Sequence, residues 1–247
     1  MNQQRIIQKL DELLRKNDYS SAKNHLEFWH SEAEAVGDRS CVLLLKNELM
    51  GLCRKIGKGE SALRYAESAL ELIDKMNIES NVGAATTYLN CATVYKAFGK
   101  AEEAIPLFEK AKMIYEQNLP FNDERLGGLY NNMALAFVDL NKFDEANDFY
   151  LKAIKVMGLI ENKETEQAIT YLNMATAAET QYGLEDAQEI ITSCCEKAME
   201  LLDFGKNRTD GDYAFACEKC ASVFDYYGYF LYKNELSDRY RRIYERS

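Results

Sequence analysis

Three asparagines at matched positions, Asn90, Asn132 and Asn173, carry the clearest capacity for recognition in this chain. Each side chain offers an amide donor and a carbonyl acceptor, the complement of one peptide unit. They recur at steps of 42 and then 41 residues, so they occupy one column of a repeating element. Such an amide ladder can hold an extended backbone without reading its sequence. If the elements that bear it are helices about 10 Å apart, one step spans roughly three residues of extended chain at ~3.3 Å each. The same amides could instead bridge neighbouring helices as structure, and the two roles are compatible.

Other polar residues fall one helical turn from these columns. Arg54 and Lys55, Thr93 and Lys96, Leu135 and Asp139, and Thr176 and Glu179 are expected to share a face with Asn90, Asn131, Asn132 and Asn173. That face reads basic early and acidic late. Such a gradient would orient a bound peptide, its acidic or carboxylate end toward Arg54 and Lys96 and its basic end toward Asp139 and Glu179. Ordinary solvated charge is the competing reading. Gln8 takes the amide place in the first unit and Glu48 in the second.

Nothing comparable points to catalysis. His25 and His30 are five residues apart beside Trp29, a net offset near ~140° around a helix, so they do not share a face. No phosphate-binding glycine loop, nucleophile elbow or two-histidine metal motif occurs. We therefore expect no enzyme, no catalytic residues, no cofactor and no metal. The seven cysteines, Cys41, Cys53, Cys91, Cys194, Cys195, Cys217 and Cys220, fit a reducing compartment as small core residues. A four-thiolate zinc site from Cys194, Cys195, Cys217 and Cys220 is the sharper alternative, opposed by the ~100° divergence of adjacent thiols on a helix.

The element that would position the amides is legible from its period. Tyr88, Cys91, Ala92 and Tyr95 recur at i, i+3, i+4 and i+7, Gly99 interrupts, and Ala101, Ala104, Ile105, Phe108 and Ala111 resume the period. Two helices thus flank a tight turn. The turn column reads Gly99, Asn141, Gly183, the two residue types that accept left-handed backbone. Small residues at Ala92, Ala104 and Ala111 allow close helix approach, while Tyr95 and Phe108 fill between layers. The frame runs back through Met50, Gly57, Ala62 and Ala69, and more loosely to Leu10, Asn17 and Ala22.

The phrase Tyr88-x-x-Cys91-Ala92-x-x-Tyr95 followed by Ala104-x-x-x-Phe108-x-x-Ala111 resembles the tetratricopeptide repeat signature. The stride of 42 exceeds the usual ~34 by about one extra turn per helix. It is similar to the longer repeats of kinesin light chains and bacterial peptide-sensing regulators, most closely through Tyr130-Asn131-Asn132-Met133-Ala134. The resemblance implies an all-α fold, a right-handed superhelical solenoid of antiparallel helix pairs in five to six repeats. First helices would line a concave groove that takes peptides or protein segments. Approximate units are 2–37, 39–79, 80–121, 122–162, 163–204 and 210–247, forming a single domain over 1–247. Glu48 in the amide column argues against the carboxylate-clamp subclass that grips chaperone tails.

Composition is that of a globular chain, with 47% hydrophobic and 28% charged residues. No segment reaches the roughly 18 apolar residues of a membrane span, and the charged N-terminus lacks a secretory core, so a cytoplasmic location is expected. A formal charge of −10 disfavours nucleic acid and anionic membranes as partners. The aromatic run Phe224, Tyr226, Tyr227, Tyr229, Phe230 and Tyr232 suggests packing under a polar capping helix from Asn234 to Ser247. Self-association through it is the alternative, and we expect a monomer rather than a homodimer.

Three functional readings follow: a non-catalytic module binding an extended peptide or partner segment, a regulator responding to a small signalling peptide, or an assembly scaffold using the outer helices. Met1 to Val36 already reads as a repeat, so the extra N-terminal domain that such regulators carry is not expected.

Overall fold

The computed structural model describes residues 1–245; Arg246 and Ser247, at the end of the expected capping segment, lie outside the described residues. Twelve α-helices and no strand occur among the described residues. In the compact unit Met1–Asn118 these are α1 (Gln3–Arg15), α2 (Tyr19–Ala35), α3 (Arg39–Lys55), α4 (Gly59–Met76), α5 (Val82–Ala97) and α6 (Ala101–Asn118). The unit Leu119–Ser247 holds α7 (Glu124–Asp139), α8 (Phe143–Met157), α9 (Glu164–Tyr182), α10 (Gln188–Phe204), α11 (Gly211–Tyr226) and α12 (Phe230–Tyr244). Helices pack as hairpins in the pairs α1–α2, α3–α4, α5–α6, α7–α8, α9–α10 and α11–α12.

One backbone rule closes most hairpin turns. Asn17, Gly57, Gly99, Asn141 and Gly228 all have positive φ, between 54° and 83°. The next residue's N–H then reaches back to the final turn: Asp18 to Leu13 O, Lys58 to Cys53 O, Lys100 to Tyr95 O, Lys142 to Phe137 O and Tyr229 to Phe224 O, at 2.8–3.0 Å. This closure satisfies carbonyls the helix end would otherwise orphan, and only glycine and asparagine adopt it cheaply. Helix α9 departs: Gly183 has φ 82° and ψ 162°, and its own N–H donates to Glu179 O at 2.8 Å.

Side-chain caps are commoner on first helices than on second helices. Asn2, Asp38, Asn81, Asp123 and Asp210 accept backbone N–H bonds at the starts of α1, α3, α5, α7 and α11, each worth about 1 kcal/mol. Helices α4, α8, α10 and α12 have no side-chain cap, nor does α9, whereas α2 is capped by Asp18.

The small columns pack as the spacing requires. Ala62, Ala104 and Ala187, like Ala92, Ala134 and Ala175, are 0% exposed. Adding a methylene or more to such a site costs ~1–3 kcal/mol, because neighbouring axes have no room to part. Phe108 and Tyr150 fill equivalent places in α6 and α8 and are likewise buried.

The aromatic run near the C-terminus divides. Phe224 is buried, edge-to-face with Tyr229 and Tyr232 at 5.8 and 4.9 Å, whereas Tyr226 and Phe230 are exposed. Helix α12 also buries Arg239, whose guanidinium reaches Asp203 at 2.6 Å, Glu235 at 2.5 Å and the Tyr213 hydroxyl at 2.9 Å.

Candidate functional site

The first helices of successive hairpins pack on one another, α3 with α5 in the first unit and α9 with both α7 and α11 in the second. The candidate residues sit on these helices. In the first unit, Asn90 on α5 is half-buried and donates through Nδ2 to Asn47 Oδ1 on α3 at 2.8 Å. Asn47 in turn donates to Leu43 O at 2.9 Å and to the buried Thr87 hydroxyl at 3.0 Å. The Thr93 hydroxyl donates to Leu89 O within its own helix, and Lys96 is half-buried in the last turn. Arg54 is exposed at the end of α3, beside Lys55, whose ammonium lies 5.2 Å from the Tyr19 ring centre.

The second unit repeats this amide pairing. Asn173 on α9 donates to Asn131 Oδ1 on α7 at 3.0 Å. Asn132 instead donates to Gly128 O, one turn back on its own helix, at 2.8 Å. The pairs are diagonal: Asn47 and Asn131 lie one position before the ladder column, which holds Glu48, Asn90, Asn132 and Asn173. The preceding column reads Asn47, Leu89, Asn131 and Leu172, so an amide donor-acceptor partner recurs only in alternate repeats. Sequence reasoning overlooked Asn47, although an asparagine one place before the ladder at both 47 and 131 was the available signal.

Bridging is therefore what Asn90 and Asn173 do, while Asn132 spends one amide hydrogen on its own helix. Leu135 is half-buried and Asp139 exposed further along α7. Glu48, the carboxylate in the ladder column, is half-buried; burial, with the Asp11 charge second, pushes its carboxyl above the usual range.

At the α9–α11 junction a cleft of about 510 Å³ is lined by Thr176, Glu179, Thr180, Ser222, Val223 and Tyr226. Thr176 and Glu179 are thus brought together. Glu179 accepts the Tyr226 hydroxyl on Oε1 at 2.5 Å and the Tyr227 hydroxyl on Oε2 at 2.8 Å. Burial and then the Glu179 carboxylate hold the Tyr227 hydroxyl well above its ordinary range. Ser222 and the two tyrosines were not among the residues expected to face the groove.

The cysteines are all buried free thiols. Burial pushes Cys194 up to about 11, and Cys195 and Cys220 up to about 12. Among the described residues no three His, Cys, Asp or Glu side chains group as a metal site, and no helix is long and apolar enough to cross a membrane.

Residues 41–117 and 128–156 match tetratricopeptide repeat family models. Those two stretches carry tetratricopeptide repeats. A curated relative, the protein kinesin light chain-related 3 of Arabidopsis thaliana, is 21% identical over 201 residues; the match covers 78% of this chain and 31% of that protein. The chain thus spans about a third of the length of the curated relative it matches. Among solved structures, BtubC from P. vanneervenii aligns with TM-score 0.59 at 19% identity, covering 93% of this chain and 90% of that one. A kinesin light chain protein with nearly identical repeats from Podosopora anserina aligns with TM-score 0.56 at 16% identity, covering 81% and 94%. A Rap protein complexed with Competence and Sporulation Factor aligns with TM-score 0.57 at 14% identity, covering 96% of this chain and 73% of that one. These likenesses show an all-α fold of repeated helix hairpins.

Proposed function

We propose that this tetratricopeptide-repeat protein is a non-catalytic cytoplasmic module that binds an extended peptide or partner segment along its first helices. The single observation that carries this reading is the state of Asn132. Its helix-directed bond leaves an acceptor and one amide hydrogen uncommitted on a half-buried polar face, which is what a peptide backbone requires. Arg54, Asn90, Thr93, Lys96, Asn131, Leu135, Asp139, Asn173, Thr176 and Glu179 complete the proposed surface. Within the unit Leu119–Ser247, Asp139 and Glu179 would attract a basic residue of the bound segment.

A second reading, a regulator answering to a small peptide, draws on the likeness to a Rap protein solved with its signalling factor. Both readings place the ligand on the same helices. The test is selection from a displayed library of random decapeptides, followed by affinity measurement against Asn132→Ala and against Leu151→Glu on the exposed face of α8. Binding lost in Asn132→Ala and kept in Leu151→Glu supports the proposal. The reverse pattern would assign binding to the outer helices and refute it.

A further inference from the structure

The cleft between α9 and α11 has a chemistry that the amide ladder does not explain. Its lining holds one carboxylate, three aliphatic hydroxyls and one tyrosine ring, and it contains no lysine, arginine or histidine. Lys219, one turn N-terminal on α11, lies outside the lining. The Glu179 carboxylate accepts two phenol hydroxyls, one on each oxygen. Each oxygen of an ionised carboxylate has about two acceptor directions, so each retains one beyond its phenol bond, on a residue that lines the cleft. The carboxylate is thereby oriented without being neutralised, since the phenols donate hydrogen bonds and bring no positive charge.

The aromatic side of the cleft is also placed. Tyr226 is 67% exposed, and its ring stands edge-on to Tyr227 with centres 5.0 Å apart. That leaves a face of the Tyr226 ring open beside the carboxylate it donates to. A planar cation that pairs with the carboxylate can lie over such a face, where the ring quadrupole adds attraction. A guanidinium fits best, because it presents parallel N–H donors to both carboxylate oxygens and stacks on aromatic rings, which an ammonium does not. Thr176, Thr180 and Ser222 offer hydroxyl oxygens as acceptors for its remaining N–H groups.

We infer that the α9–α11 cleft is a receptor for an arginine side chain of the bound segment, with Glu179 as the ion-pair partner and Tyr226 as the stacking surface. The inference rests on the reading of the first helices as the binding face, and it names the ligand class at one end of that face. A small probe separates the two. Titration of Nα-acetyl-arginine methylamide into the full chain, followed by amide NMR, is expected to give saturable shifts confined to residues around Thr176, Thr180, Ser222 and Tyr226. The neutral isostere Nα-acetyl-citrulline methylamide should bind about tenfold or more weakly, and the lysine analogue should fall between.

Glu179→Gln should abolish the arginine shifts, and Tyr226→Ala should weaken them several-fold; the second variant alters an exposed side chain and guards against a fold defect in the first. Asn132→Ala should leave the arginine shifts unchanged whether or not it affects decapeptide binding, so failure of the ladder reading and failure of this one are distinguishable. Equal shifts from arginine and citrulline, shifts that do not saturate, or full binding by Glu179→Gln would overturn the inference.

Discussion

The three ladder asparagines, Asn90, Asn132 and Asn173, divide into two kinds, and their alanine variants should divide the same way. Asn90→Ala removes a 2.8 Å bond and leaves Asn47 Oδ1 without that donor on a half-buried surface. A neutral hydrogen bond contributes ~0.5–1.5 kcal/mol net, and an abandoned buried partner costs ~1–3 kcal/mol. With both groups only partly covered, a loss of about 1–1.5 kcal/mol is expected. Asn173→Ala, through its 3.0 Å bond to Asn131, should cost about 1 kcal/mol. Asn132→Ala removes only a bond to Gly128 O within one helix, and alanine is the better helix former by up to ~0.7 kcal/mol, so its stability should be unchanged or slightly higher. Urea unfolding followed by circular dichroism, with a double-mutant cycle on Asn47 and Asn90, measures all of this. The cycle should return a coupling of about 0.5–1 kcal/mol. If Asn132→Ala is as destabilising as Asn90→Ala, or the coupling is zero, the division into bridging and uncommitted amides is wrong.

Three further outcomes follow from the core. The buried Tyr150 hydroxyl has no hydrogen-bond partner among the described residues, and Phe108 fills the equivalent place in α6, so Tyr150→Phe should stabilise by about 1 kcal/mol, read as a higher urea midpoint; a lower midpoint would reveal a partner for the hydroxyl. Burial raises the Cys91, Cys195 and Cys220 thiols from about 9 to about 12. The unfolded chain therefore gives up these protons first as alkali is added. Stability should be intact below pH ~9 and fall through pH 9–12 by up to ~1.4 kcal/mol per pH unit for each thiol; a flat profile over that range in unfolding titrations would contradict it. Arg239→Ala should destabilise by about 2–3 kcal/mol and Arg239→Met by less, because the partner carboxylates of Asp203 and Glu235 have side chains 48% and 55% exposed and can rehydrate; thermal unfolding compares the two, and equal losses would show that charge rather than packing governs the site.

The helix hairpins were legible because two local rules coincide in the sequence. A 3.6-residue period supplies the small and large columns, and a residue tolerant of positive φ marks each turn, so Gly57, Gly99 and Asn141 announce their own geometry. Asn17, in a hairpin that aligns only loosely, and Gly228, in one whose register is harder to place, follow the same rule. The pairing of Asn47 with Asn90 was harder to see. It joins unlike columns, and a search for residues returning to equivalent places finds only like ones. The tyrosine grip on Glu179 was hidden for another reason: α9 runs 19 residues before its turn, which displaces α11 from the frame that the middle repeats establish. Three-dimensional proximity, with no counterpart in spacing, brings Tyr226 and Tyr227 there.

The shielded cysteines make the protein its own recorder of transient opening. They occur on α3, α5, α10 and α11, all buried, so a thiol reagent gains access only when the surrounding layer parts. A repeat array opens layer by layer, and modification rates at Cys41, Cys91 and Cys220 would then time three separate layers in one unmodified molecule, with ligand occupancy visible as slower labelling of the layers it clasps.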